Sequence, residues 1–386
     1  MLATLAVANY RSLRSLVLPM GRINLVTGAN GSGKSSLYRA LRLLAETAQG
    51  GVVPALAREG GLSSTLWAGP EKFSRGMLSG DLPVQGGPRT EPVSLKLGFA
   101  GESFGYAIDL GLPEPSLSMF GRDPEIKSEV IWSGPFLRAA SLLMDRRGPM
   151  AKLRDGRHWH VAAQHLSQFE SVFTQLADPE RAPEVMVLRE SIRGWRFYDH
   201  FRSDADAPAR WPQLGTRTPV LSHDGRDLAA AWQTIREIGD VASLEASVDD
   251  AFPGAVVRVG QEGDRLLLTF QQPGLLRPLS SAELSDGTLR YLLWIAALHT
   301  PRPPPLMVLN EPETSLHPDL LPALGRLILK ASTTCQVWVV SHASRLIAAL
   351  EDSPDCHSLR LEKTLSETRI VGQGVLDEPA WYWPSR

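Results

Sequence analysis

The sequence predicts an α/β fold: a phosphate-binding loop between a core strand and a helix, an attached antiparallel β-layer and an inserted helical lobe. Three observations carry this. Residues Gly28–Ser35, GANGSGKS, follow the apolar run Ile23–Thr27 and precede a stretch of helical period, Ser36–Leu44. Two late runs, Leu306–Leu309 and Val337–Val340, are wholly apolar and end in polar residues, as buried core strands do. Between the loop and these runs, short alternating stretches fill residues 93–110, and residues 160–245 turn helical.

The loop has the pattern G-x-x-x-x-G-K-[ST] in the strand–loop–helix setting that gives the pattern its meaning. Gly28, Gly31 and Gly33 let the backbone take positive φ and come close enough to wrap N–H groups around a triphosphate. A helix starting near Lys34 adds open N–H groups and the positive end of its dipole. Lys34 is placed to reach the β- and γ-phosphates, and the Ser35 hydroxyl to hold Mg²⁺. The nucleotide-binding set is Asn30, Gly31, Gly33, Lys34, Ser35 and Ser36, and the ligand is ATP or GTP.

Composition bounds the rest. A chain of 386 residues with 43% apolar and 21% charged side chains can bury one large core or two smaller ones. The net charge of −2 gives no global basic field, so a nucleic-acid contact would need a local patch. Cys335 and Cys356 are too few for a multi-thiolate zinc site and suggest a reducing compartment. No apolar run reaches the ~20 residues that cross a bilayer. Met1–Val7 lacks a basic lead and is followed too soon by the loop's strand to be a cleaved signal. The expected location is cytoplasmic, with no membrane partner.

Residues 1–27 read as two strands, Leu2–Val7 and then Leu16–Val26, joined by the turn Asn9–Ser12. The helix over 34–48 stops at Gly50-Gly51. Val93–Phe99, Ser103–Leu110 and Glu129–Trp132 are expected strands of the antiparallel layer, with Leu112–Pro124 a loop. Ala162–Leu176, Pro183–Arg196 and Asp227–Ile238 carry apolar residues at helical spacing, and Val256–Val259 with Arg265–Phe270 forms a hairpin. An apolar helix follows over Thr288–Leu298, another over Leu320–Ala331, and the tail holds a hairpin of Leu359–Leu361 and Thr368–Val371. Arg181–Arg217 mixes seven arginines with Trp195, Phe197, Tyr198, Phe201 and Trp211. Arginines and aromatics together suit nucleic acid, but interleaved acids favour a solvated face backed by an aromatic core.

Three later segments belong with the loop. Leu306–Glu313, LMVLNEPE, delivers Asn310 and Glu311 from the end of a core strand, and Glu311 is placed as general base for an attacking water. Leu284–Gly287 heads the apolar helix, where Ser285 and Gly287 offer a hydroxyl and backbone N–H to an anion; taken alone it is a capping turn. His342, just after Val337–Val340, could donate a hydrogen bond to a γ-phosphate.

In this order the segments resemble the ATP-binding-cassette (ABC) ATPases, specifically the SMC/RecF-like branch with its small AAA-type members and the ATPase part of OLD proteins. Walker A is Gly28–Ser35, the signature Leu284–Gly287, Walker B with its glutamate Leu306–Glu311, the D-loop region Thr314–Pro318 and the switch histidine His342. The turn Asn9–Leu13 and the phrase Glu311–Pro318 are similar to that branch in particular. The resemblance covers residues 1–45 and 275–350. It implies a P-loop ABC head that binds ATP with Mg²⁺ and dimerises head to head, each loop closed by Ser285 and Gly287 of the other copy. Glu311 and His342 would be catalytic, and Ser35 and Asn310 would serve the metal. Asn310 departs from the family's Asp, which implies slow hydrolysis or a higher Mg²⁺ requirement. Gln164 and Gln168 are the candidates for the Mg²⁺-sensing glutamine.

The organisation expected is a nucleotide-binding core with Walker A and β-layer over 1–135, a helical insert over 136–250, and a second part of the core over 251–386. The implied role is DNA repair or genome (anti-phage) defence, with the closed dimer gripping DNA. The alternative is a nucleotide-sensing scaffold controlling a separate effector. An importer subunit fits poorly, because the β-rich insert lengthens the path from Walker A to signature. Neither a long coiled coil nor a zinc hook is present, and about 44 residues follow His342. Any nuclease or toxin activity is therefore expected from another chain.

Overall fold

The computed structural model describes residues 1–86, 90–115, 117–176, 178–374 and 376–386; Ser116, inside the expected loop Leu112–Pro124, lies outside them. The chain forms two compact units. One comprises Met1–Met20, Gly28–Gly194 and Leu359–Arg386, the other Gly21–Thr27 and Trp195–Ser358.

The first unit holds an eight-stranded antiparallel sheet. Its spatial order is Leu13–Pro19, Leu2–Tyr10, Leu95–Gly101, Phe104–Gly111, Glu125–Ser133, Leu142–Arg147, Met150–Asp155 and His158–Ala163. The helix Lys34–Thr47 packs on the strands Leu2–Tyr10 and Leu95–Gly101, and its Leu37, Leu41 and Leu44 are fully buried. Each such leucine contributes about 2 kcal/mol by leaving water. A hairpin, Cys356–Thr364 with Glu367–Ile370, sets Leu361 opposite Ile370. The chain's last residues lie on the sheet: Trp381 stacks its edge on Trp132 at 5.7 Å, and Arg386 grips Asp109 with bonds of 2.7 and 2.9 Å.

Two expectations from the sequence fail, one over residues 1–27 and one over 162–176. The second expected strand is two strands, Leu13–Pro19 and Ile23–Gly28. Asn24 breaks the run by accepting from the Gly21 N–H (2.8 Å) and donating to the Gly21 carbonyl (2.9 Å), which turns the chain. The helix expected over 162–176 is absent except for Val172–Gln175, and His158–Ala163 is a strand. The reason lies in the fully buried Arg146, paired with the equally buried Glu129 at 2.7 Å. Arg146 also donates to the carbonyls of Ser167 and Glu170 (2.7 Å each), so those acceptors are lost to a helix. Glu129 in turn accepts from Tyr106 Oη (2.7 Å), Ser171 Oγ (2.6 Å) and the Val172 N–H (3.0 Å). Burial, and then the Glu129 charge, push the Tyr106 hydroxyl well above its ordinary pKa.

In the second unit, parallel strands run in the order Arg196–Tyr198, Leu306–Asn310, Gln336–Val340, Ile23–Gly28. Leu306–Leu309 and Val337–Val340 are buried throughout because helices cover both faces of such a sheet. The core joins them to the helices Leu228–Ile238, Val241–Ala251, Asp286–Leu298, Leu321–Ala331 and Ser344–Glu351. A small antiparallel sheet, with Arg265–Gln271 at its centre beside Val256–Glu262, Gln213–Leu214 and Leu279–Ser280, packs into the same core. The aromatics after Arg181 are mostly core: Tyr198 and Phe201 are buried, with Phe201 edge-on to Trp294 at 4.8 Å. Trp195 is buried as well, whereas Trp211 is exposed.

Candidate nucleotide-binding site

The phosphate loop is built as the glycines demand. Gly28 and Gly33 sit at φ of 144° and 113°, where side chains are strained. A Cβ on Gly28 would overlap the Leu361 carbonyl, and one on Gly33 the Thr368 hydroxyl; one on Gly31 would meet nothing within 4 Å. The helix begins at Lys34 with no side-chain cap, so its first-turn N–H groups are open to an anion. Lys34 Nζ folds back on the carbonyls of Gly28 (2.6 Å) and Ala29 (3.2 Å). Ser32 Oγ is buried without a hydrogen-bond partner. Ser35 is exposed on the first turn and Ser36 half-buried, 3.5 Å from Ser12 Oγ; Asn30 and Gly31 form the exposed crest.

Sequence reasoning missed the loop's brace. Thr368 donates from Oγ1 to the Ser32 carbonyl (2.9 Å) and accepts from Ser12 Oγ (2.8 Å), and its N–H donates to the Ser12 carbonyl (2.8 Å). Beside Ser12 lies a cavity of about 650 Å³ lined by Arg11, Trp67, Pro70, Val84, Leu365 and Ser366. Arg11, Leu365 and Ser366 all have positive φ (50°, 51° and 67°), the kind of local strain that gathers at binding sites.

In the second unit, Asn310 ends its strand opposite Val340, and the Glu311 N–H donates to the Val340 carbonyl at 2.8 Å. Glu311 and Ser315 bracket a tight turn at φ of 50° and 61°. His342 Nδ1 stands 3.9 Å from Glu311 Oε1 and 3.3 Å from Glu313 Oε1, so the two expected catalytic residues are neighbours. Both are partly exposed, whereas Glu313 is buried.

Ser285 caps the Asp286–Leu298 helix by accepting from the Thr288 N–H at 3.2 Å. Gly287 approaches the Ser315 carbonyl so closely that a Cβ would stand 3.2 Å from it. Two buried arginines, also missed, fix this corner. Arg290 donates to the Thr314 carbonyl (2.7 Å), which ties the Asp286–Leu298 helix to the turn after Glu311. Arg210 donates to the carbonyls of Leu284 and Ser203 (2.7 Å each) and pairs with Asp286 at 2.7 Å. Of the glutamine candidates, Gln164 is exposed, and Gln168 lends its carbonyl to the Ile126 N–H at 2.8 Å.

No helix among the described residues is long and apolar enough to cross a membrane. A family model described as "AAA domain, putative AbiEii toxin, Type IV TA system" matches residues 23–135 and 153–348. No curated protein matches the chain. Among solved structures, an SMC head bound to the C-terminal winged-helix domain of ScpA aligns with a TM-score of 0.52 at 13% identity, covering 97% of this chain and 98% of that one. The SMC head domain of Thermotoga maritima gives 0.48 at 14% identity, over 97% and 99% of the two chains. An Smc head with an extended coiled coil, bound to the C-terminal domain of ScpA and derived from Pyrococcus furiosus, gives 0.48 at 13% identity, over 96% and 95%. The first of these likenesses concerns fold alone. With the family model spanning most of its length, the chain belongs to the AAA-domain family of the putative AbiEii toxin, built on the SMC/RecF-like form of the ABC-type ATPase fold.

Proposed function

We propose that this chain binds Mg²⁺·ATP and hydrolyses it, two copies closing head to head around the nucleotides. The observation that carries the reading is the loop, with no room for a side chain at Gly28 or Gly33, opening onto an uncapped helix start with a buried, unpartnered Ser32 hydroxyl. Lys34 exchanges its two carbonyl partners for the β- and γ-phosphates. Asn30, Gly31, Gly33 and Ser36 line the phosphate path. The cavity beside Ser12 has the volume and the mixed aromatic and aliphatic wall that a nucleoside needs.

Mg²⁺ keeps most of its water and phosphate oxygens, and the Ser35 hydroxyl and Asn310 amide oxygen are hard donors suited to the remainder. Among the described residues no group of three or more His, Cys, Asp or Glu side chains could hold a metal by itself, which agrees with an ion carried in by the nucleotide. When bound, the ion neutralises charge on the β- and γ-phosphates. Glu311 takes the proton of the attacking water, and His342 hydrogen-bonds the γ-phosphate. Ser285 and Gly287 present a helix N-terminus to the nucleotide of the other copy.

The biological reading that fits best is genome defence or DNA repair, with the closed dimer clamping DNA. The second reading is a nucleotide-sensing scaffold that controls an effector chain; the family description, a putative toxin of a type IV toxin–antitoxin system, fits a chain that works alongside a second protein. The deciding experiment is steady-state ATP hydrolysis by wild type and Lys34→Ala, with and without duplex DNA. Lys34-dependent turnover that DNA stimulates supports the clamp. Lys34-dependent turnover indifferent to DNA supports the scaffold, and no Lys34-dependent turnover ends the ATPase reading.

A further inference from the structure

We propose that Glu313 is a positioning residue for hydrolysis, acting through His342; the assignment rests on the ATPase reading above. Glu313 is 7% exposed. Its Oε1 accepts from Ser341 Oγ (2.8 Å), the His342 N–H (2.8 Å) and the Ala343 N–H (3.2 Å), and His342 Nδ1 stands 3.3 Å away. One carboxylate oxygen therefore gathers three consecutive residues of the turn that carries the switch histidine. Ser341, fully buried, accepts from the Ala343 N–H at 3.2 Å and closes the same turn.

The ring nitrogen Nδ1 lies within ion-pair distance of Oε1 without a hydrogen bond to it, so the hold on His342 runs through its own N–H and its two neighbours. Glu311 Oε1 stands farther off, 3.9 Å from Nδ1, so Glu313 and not the general base holds this turn. With the His342 side chain 58% exposed, Glu313 supplies the restraint that packing does not.

The same carboxylate joins the ends of two neighbouring parallel strands. Glu313 lies in the turn after Leu306–Asn310, and Ser341–Ala343 follow Gln336–Val340. Its second oxygen, Oε2, is buried without a hydrogen-bond partner. A residue serving only to cap the turn would need neither the ring contact nor a charge; a Ser or Asn reaching the N–H groups would do.

A double-mutant cycle tests the assignment on the full chain, using Glu313→Ala, His342→Ala and the pair, with kcat and KM for ATP and the melting temperature measured for each. Acting through His342, Glu313→Ala lowers kcat on the order of tenfold to a hundredfold, the range that misplacement of a reacting group produces. KM changes less than about twofold, and the double variant is no slower than His342→Ala alone. Glu313→Gln, which retains an acceptor oxygen, gives an intermediate kcat and replaces Glu313→Ala in the cycle if that variant does not fold. Losses that multiply in the double variant, a change confined to KM, or wild-type kcat in Glu313→Ala overturn the assignment. A chain whose turnover does not need Lys34 overturns the ATPase reading, and the assignment with it.

Discussion

Thr368 donates from Oγ1 to the Ser32 carbonyl at 2.9 Å, across 336 residues of sequence, and its side chain fills the space beside Gly33. A methyl group on Gly33 has nowhere to go, and φ of 113° strains it further. Gly33→Ala is therefore expected to abolish ATP binding by calorimetry while leaving helix content by circular dichroism near wild type. Thr368→Val, which keeps the volume and loses both hydroxyl bonds, weakens ATP binding by about tenfold.

Glu311 sits in a left-handed turn at the end of a core strand, exposed enough to meet water. Glu311→Gln keeps the shape and removes the base. Hydrolysis falls by about 10²- to 10⁴-fold. The chain then elutes as a dimer in Mg²⁺·ATP and as a monomer without nucleotide. A monomer in both conditions rules out the head-to-head arrangement.

Asn310 offers Mg²⁺ a neutral oxygen where a carboxylate would add charge. Restoring it with Asn310→Asp is expected to lower the Mg²⁺ concentration for half-maximal turnover and to raise kcat. Titration of Mg²⁺ at saturating ATP reads both, and unchanged values in the variant dismiss the idea.

The Arg146–Glu129 pair has no exposure on either side chain. Removing one partner leaves a buried charge, so Glu129→Gln costs about 3–5 kcal/mol in urea denaturation. The apolar pair Arg146→Met with Glu129→Leu recovers part of that loss, because neither charge is then desolvated. In the double variant the carbonyls of Ser167 and Glu170 lose their Arg146 donor, so recovery is incomplete.

His299 holds its ring between Ser247 Oγ (2.8 Å from Nε2) and Ser243 Oγ (3.3 Å from Nδ1). Burial, then the Lys330 charge, depress its pKa to about 4, with Asp240 opposing. The unfolded chain binds the proton near pH 6.5, so below that value it takes up more protons than the folded one. Stability present above pH 6.5 is lost as pH falls toward 4, by on the order of 2 kcal/mol. His299→Gln flattens this part of the stability–pH curve.

The nucleotide loop was legible because its signal is local: glycines at fixed offsets between an apolar strand and a helix of 3.6 period. Leu306–Leu309 and Val337–Val340 were legible because burial on both faces leaves no polar residue inside them. The strands over 142–163 were not, since they carry Asp145, Arg146, Lys152 and Arg154 inside, and the pairing that makes Arg146 tolerable lies 17 residues back in sequence. Distance also hid Thr368 and Glu313. Nothing near either residue announces that it braces a backbone segment, because its partners are supplied 336 and 28 residues away.

The strand Ile23–Gly28 lies beside Gln336–Val340, with Asn24 donating to the Val337 carbonyl 313 residues on. During synthesis at about 5–20 residues per second, that partner emerges roughly 15–60 s after the strand itself. The sheet hairpins of the first unit, joined by short turns, meet their neighbours much sooner. Ile23, Leu25 and Val26 wait meanwhile without the strand that pairs with them. The strand that leads into the phosphate loop is thus among the first segments made and among the last to be seated.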